Sequence, residues 1–267
     1  VLESIAYGTI NSMELTTLIG LIIGIGGIFV GNLLEGGHTS SLMQFTAGFI
    51  VLTGTIGATL VSSKQSHFKL AFVMLAELFR DSNKNEEEFK ESLKEIIECT
   101  KIVKRESVVA IESRIGKIKN IFLAKVLRNV VDGIDPQITR DTFYTELDSE
   151  EETLLAGAKV WSDAGGFAPT IGILGAVLGL IHVMGNLSDT SKLGQGIAVA
   201  FVATVYGVGL SNLVFLPFAN KLKKFTEERI NNKKILLEGA LLINSGLSSN
   251  IVSQRLTAYM DGKTQTL

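Results

Sequence analysis

Side chains suited to acid–base, nucleophilic or metal chemistry are few in this sequence and lie far apart. Histidine occurs only at His38, His67 and His182, none of them in a recognisable arrangement with a serine or cysteine nucleophile. The single cysteine, Cys99, cannot form an intramolecular disulfide, and no paired-cysteine or cysteine–histidine spacing marks a metal site. It reads as a small buried apolar residue. No GxxxxGK[ST] run is present to cradle a nucleotide phosphate. The acids Glu86, Glu87, Glu88 and Glu91 read as the solvated face of a helix rather than as metal ligands. No enzyme, cofactor or metal site is expected. The balance of 25 basic against 27 acidic residues, net charge −2, offers no basic surface for nucleic acid.

The remaining chemistry lies in polar groups set among apolar residues. Only 19% of the chain is charged, against about a quarter in soluble domains. The charge is almost absent from four stretches, about 15–33, 44–63, 166–185 and 195–218. Each is close to the ~20 residues a helix needs to cross a hydrocarbon core about 30 Å thick. Four such stretches in one chain imply a polytopic membrane protein rather than buried helices of a soluble one. Ion-conducting spans usually keep a carboxylate at mid-membrane, yet no Asp or Glu lies inside any of these four. Glu35 ends the first, and Asp163 and Asp189 flank the third. If ions pass, another chain must supply the carboxylate. This chain offers polar lining at Thr170 in span three and at Thr204, Tyr206 and Ser211 in span four. Thr204 has a second reading, as a hydroxyl bonded to the carbonyl one turn back. His182, near the outer end of span three, reads as interfacial.

Glycines and prolines punctuate the same stretches. GGFAPTIGILGAVLGLIHVMG at 165–185 holds six glycines, each weakening a soluble helix by roughly 1 kcal/mol relative to alanine. In lipid, small residues allow the close backbone contact that drives helix association. Four-apart pairs occur at Gly20/Gly24, Gly27/Gly31, Gly175/Gly179 and Ala203/Gly207, which predicts a tightly packed bundle or a ring of subunits. Pro169 and Pro217 fall at the inner ends of spans three and four. By position alone they read as helix boundaries, since proline suits a first turn and removes a donor elsewhere.

Orientation follows the basic residues. Of the 25, sixteen lie between Lys64 and Lys159 and eight between Lys221 and Lys263, with only Lys192 in the loop joining spans three and four and none in the loop joining spans one and two. The positive-inside rule puts both termini and the long middle segment in the cytoplasm. The expected fold class is all-α: spans one and two over 13–63, a cytoplasmic helical domain over 64–164, spans three and four over 165–218, and a cytoplasmic C-terminal helix over 219–267. Within the middle domain, Phe89, Leu93, Ile96 and Ile97 recur at helical spacing, and so do Ile115, Ile118, Phe122 and Val126. Asp132-Gly133 with Pro136 marks a break. VLESIAYGTINS, residues 1–12, lacks the basic and apolar regions of a cleavable signal peptide. With Met13 directly before the first apolar run, it is expected to be an upstream extension.

Several runs then carry a resemblance. LLEGGHTSSLMQFTAGFIVLTGTIGATLVSS closely resembles the start of MotA/PomA-family flagellar stator proteins, where one span ends in a Glu-Gly-Gly turn and the next carries GGTxGATLVS-like sequence. KRESVVAIES, at 104–113, is similar to the family's cytoplasmic element. GGFAPTIGILGAVLGLI and IAVAFVATVYGVGLSNLVFLPFANKL are similar to its third and fourth spans. The wider superfamily includes the TolQ and ExbB proteins, which have three spans placed differently.

The resemblance implies a multi-pass protein of the bacterial inner membrane. It would form a homo-oligomeric ring, five copies in the family, around the helices of MotB-like single-span partners that supply the ion-binding aspartate. It places Thr204 on the ion path, which Thr170 is already expected to line by its own position, and sets Ala176 at a position that bears on ion choice. Pro169 and Pro217 become conformational coupling residues, so the resemblance raises Pro169 from boundary to hinge. Glu112 becomes the acidic contact to the rotor switch protein. Lys104 or Arg105 becomes the basic one, the family's arginine being replaced at Lys104. Sodium-type relatives carry threonine where this chain has Ala176; without that hydroxyl, proton coupling is expected. The alternative reading is an ion-driven energiser of the TolQ/ExbB kind, serving an envelope or uptake system.

Overall fold

The computed structural model describes residues 12–78, 82–185 and 190–261. The expected extension at 1–12 therefore lies outside the described residues except for Ser12, which opens the first helix; Asp189 also lies outside them. Among the described residues there are helices and turns and no strand. Four helices are long and apolar enough to cross a membrane. In chain order the helices are α1 (Ser12–Leu34), α2 (Phe45–Ser62), α3 (Gln65–Leu78), α4 (Ser82–Arg105), the single turn α5 (Glu112–Ile115), α6 (Ile121–Val131), α7 (Pro136–Met184), α8 (Thr190–Leu210), α9 (Leu216–Leu242) and α10 (Ser249–Asp261).

The chain divides into two compact units, one of residues 1–80 and 153–224, the other of 81–152 and 225–267. The first holds α1, α2 and the apolar lengths of α7 and α8. It also takes in α3, which the sequence places in a cytoplasmic domain beginning at 64. The reason is packing: Met74 of α3 is buried with Ala158 of α7 and Leu222 of α9, and the Trp161 indole N–H donates to the Ala71 carbonyl at 3.1 Å. In α2, Ala47 and Val51 pack against Val202 and Ala203 of α8.

The second unit has a core of large side chains. Phe89, Leu93, Ile96 and Cys99 of α4, Leu123, Leu127 and Val130 of α6, Phe143 of α7, Leu236 and Leu237 of α9, and Val252 and Leu256 of α10 close on one another. The expected stripe on α4 is thus buried, with Ile97 at its edge. The second stripe is not one helix. Gly116 ends α5, and Asn120 starts α6 by accepting a hydrogen bond from the Leu123 amide at 3.0 Å, as an N-cap does. The expected break before Pro136 is present and built the same way. Asp135 Oδ1 accepts from the amides of Gln137 and Ile138, and Pro136 takes the first helical position, where its missing N–H costs nothing. Ion pairs then join α7 to α9, Arg140 to Glu238 at 2.9 Å and Lys233 and Arg229 to Glu150.

Candidate functional site

Spans three and four meet along a seam of glycines and alanines. A Cβ added to Gly207 would lie 2.5 Å from the Ala168 carbonyl oxygen and 2.9 Å from Gly172 Cα; one on Gly172 would lie 2.8 Å from the Ala203 carbonyl oxygen. One on Gly179 would lie 2.9 Å from the Ala200 nitrogen. Here the backbones themselves are in contact, as association in lipid favours. The pairs Gly175/Gly179 and Ala203/Gly207 sit on this seam, joined by Gly172 and Ala200. In α1, among the described residues, only Gly24 meets a neighbour, Leu213; Gly20, Gly27 and Gly31 have nothing within 4 Å.

The polar groups expected to line a path divide into two kinds. Thr204 is half-buried and donates to the Ala200 carbonyl at 3.4 Å, a long bond that leaves the hydroxyl weakly held. Thr170 is exposed and donates to the Phe167 carbonyl at 2.8 Å. Ala176 is half-buried. Thr170 and Ala176 are six residues apart on one helix and so about 120° apart around it; the structure does not bring them to one face. Tyr206 and Ser211 have structural partners instead. The Tyr206 hydroxyl donates to the Leu42 carbonyl and accepts from the Gln44 amide, pinning the turn Thr39–Leu42. Ser211 is 2% exposed and donates to the Gly165 carbonyl. Sequence reasoning missed Thr55 in α2, also 2% exposed, whose hydroxyl has no partner among the described residues. Its neighbour one turn on, Thr59, donates to the Thr55 carbonyl at 2.8 Å. The four-residue spacing in TGTIGAT was the available signal.

Only one of the two prolines departs from the boundary reading. Pro169 lies inside α7, well away from both ends; its helix neither starts nor stops there. Pro217 occupies the first turn of α9, directly after a π-turn at Ser211–Phe215 that carries the helical path on from α8.

In the charged unit, Lys104 and Arg105 end α4, and Glu112 opens α5 after a tight turn at Val108–Ile111. All three are exposed and, among the described residues, form no ion pair or side-chain hydrogen bond. Nearby charges are already paired. Arg114 binds Glu95 at 2.8 Å, which raises the guanidinium pKa further and ties α5 to α4. The hydrogen bond from Lys101 holds the Glu98 carboxyl below its ordinary range. Cys99 is fully buried, and burial pushes its thiol up to about 11, which fits the inert role its sequence context predicts.

Comparison with known proteins places these features in a family. Residues 114–235 match the MotA/TolQ/ExbB proton channel family, and residues 18–107 match the N-terminal region of motility protein A. The chain is 32% identical over 251 residues to motility protein A of Bacillus subtilis, covering 94% of this chain and 92% of that protein. It is 28% identical to the chemotaxis protein PomA of Vibrio alginolyticus over 93% and 96% of the two chains. Among solved structures it is similar to a chain of C. jejuni MotAB, with TM-score 0.85, 28% identity and coverage of 92% and 96%. It is also similar to a chain of the flagellar MotAB stator complex of Bacillus subtilis, with TM-score 0.80, 31% identity and coverage of 91% and 95%.

Proposed function

The chain belongs to the motility protein A family, and from that premise we propose how it works as an ion-channel subunit of a flagellar stator. It is a multi-pass inner-membrane protein that assembles with a MotB partner. Its spans contain no Asp or Glu, and this observation carries the reading: the titrating carboxylate belongs to the partner's helix, and this chain shapes the wall beside it. Five copies form the ring, with both termini and the charged unit in the cytoplasm.

The ion is a proton. A sodium ion needs oxygen ligands to replace its hydration shell, and Ala176 has no hydroxyl to offer. When the partner's aspartate is protonated it loses its charge, and its fit against the Thr204 side of the ring changes. The weakly held Thr204 hydroxyl is free to answer that change. Pro169 and Pro217 let the spans bend as the ring steps. Lys104, Arg105 and Glu112, exposed and without partners among the described residues, then push on charges of the rotor switch protein, while Arg114 is engaged by Glu95.

The first test is the partner. The protein, tagged at its C-terminus and extracted gently from native membranes, should co-purify with a single-span protein carrying an intramembrane aspartate and a peptidoglycan-binding domain. A short partner lacking that domain would replace the stator with an uptake energiser and remove the rotor contacts. The second test is charge reversal. Glu112→Lys should reduce torque per unit while the number of units at the motor stays the same. Unchanged swimming after reversal at Lys104, Arg105 and Glu112 together would end the rotor-contact claim, and rotation that depends on sodium would end the proton claim.

A further inference from the structure

Pro169 has no N–H, so the Gly165 carbonyl lacks the amide that would donate to it from one turn on. Inside a bilayer such a carbonyl must find another donor. It has one: the Ser211 hydroxyl, from the neighbouring span, at 2.6 Å. Ser211 and Gly165 are both buried, and Ser211 is only 2% exposed, so neither water nor a lipid headgroup reaches this bond.

Ser211 also serves the second proline. It opens the π-turn Ser211–Phe215, and the Leu216 amide closes that turn by donating to the Ser211 carbonyl. A π-turn inserts an extra residue into a helix and so re-aims the segment beyond it; here that segment begins with Leu216 and Pro217. Leu216 returns to the first site as well. A Cβ on Gly165 would lie 2.6 Å from Leu216 Cδ2, so Leu216 occupies the space that Gly165 leaves. The hydroxyl of one serine therefore mends the break at Pro169, and its carbonyl anchors the turn leading into Pro217. Just beyond, Gly207 lies against Ala168 and Gly172 and keeps the two spans in register.

We propose that Ser211 is a positioning residue for the coupling of ion passage to ring movement: it supplies the donor that Pro169 lacks and links the bends at Pro169 and Pro217 so that they move together. The proposal rests on the stator reading. It assigns the fourth span's buried hydroxyl a mechanical role rather than a place in the ion path.

The test is a cycle of substitutions in the complex purified with its partner. Pro169→Ala returns to α7 an amide that can donate to Gly165. Ser211→Ala should therefore lower the thermal midpoint by several degrees in the parent chain, and by less than half as much when Pro169→Ala is already present. Equal losses in the two backgrounds would overturn the proposal. If Ser211→Ala alone does not accumulate in membranes, its recovery by Pro169→Ala supports the proposal and failure to recover overturns it.

A second readout separates positioning from stability: the torque step added as each fluorescent unit joins a tethered motor. Ser211→Ala units should join in normal numbers and add smaller steps, and Ser211→Thr should restore the step size by keeping the hydroxyl. Full-sized steps from Ser211→Ala units would overturn the proposal. If the parent chain itself adds no torque, the stator reading fails, while the stability cycle still decides what the hydroxyl does.

Discussion

The seam between α7 and α8 and the core of the charged unit are held by opposite means. At the seam, Gly172, Ala203 and Gly207 bring backbone against backbone, and an added methyl at Gly207 would reach within 2.5 Å of a carbonyl oxygen. In the charged unit, Ile96, Leu127, Phe143, Leu236 and Leu237 fill the space with side chains, all nearly or fully buried. The difference follows from the solvent. Water rewards burial of apolar area at about 25 cal/mol per Å², whereas lipid is as apolar as leucine and gives helices no such reason to associate. Contact in lipid must come from fit, and fit at closest approach requires small residues. The α1 helix sharpens the point. It has the same glycine spacing as the seam, yet Gly20, Gly27 and Gly31 meet nothing within 4 Å among the described residues, and Ile22 and Ile23 are about two-thirds exposed, at 69% and 67%.

Four substitutions put this contrast at risk. The largest effect is expected from Gly207→Val, which forces a branched side chain into the Ala168 backbone; overpacking of this kind costs about 3 kcal/mol or more, and the chain should fail to accumulate as a monodisperse species after detergent extraction. Normal yield and elution would show that the seam is not the tight contact described. Next is Leu127→Ala in the charged unit, which leaves a cavity worth about 2–5 kcal/mol. It should lower the thermal midpoint without altering membrane insertion, and if it blocks insertion the two units are not held independently by these two means.

Smaller again is Arg140→Ala. Its guanidinium makes paired bonds of 2.9 Å to both oxygens of Glu238, but it is partly exposed. A loss of about 1 kcal/mol is expected, read as a small shift in midpoint that added salt reduces. A loss as large as that of Leu127→Ala would mean that ion pairs, not burial, hold α7 to α9. Least of all is Gly27→Ala, with no neighbour within 4 Å to disturb. The isolated chain should lose no stability, and alanine's better helix propensity should raise it by at most about 1 kcal/mol. A Gly207-sized loss there would break the comparison.

Much of the architecture is legible in the sequence because it depends on near neighbours. Phe89, Leu93 and Ile96 announce the buried face of α4 by spacing alone, and Asp132-Gly133 with Pro136 announces the break before α7. The apolar stripe at 115–126 runs across a break whose cause is also local, a glycine at 116 and an N-cap at Asn120. At the candidate site legibility is lower. Thr204 stood out as a hydroxyl in an apolar run, but Tyr206 and Ser211 looked the same, and only their distant partners separate them: Leu42 is 164 positions from Tyr206, and Gly165 is 46 from Ser211.

The sequence by itself determined that there are four spans and that none carries its own carboxylate, because each crossing must be a continuous apolar helix whatever surrounds it. The tertiary structure decided which glycines are filled and which stay open, that Pro169 lies within a helix rather than at its end, and that the carbonyl freed there is met by a serine. Those outcomes depend on which residues, remote along the chain, are brought alongside one another, and periodicity along a single helix carries no information about its neighbour.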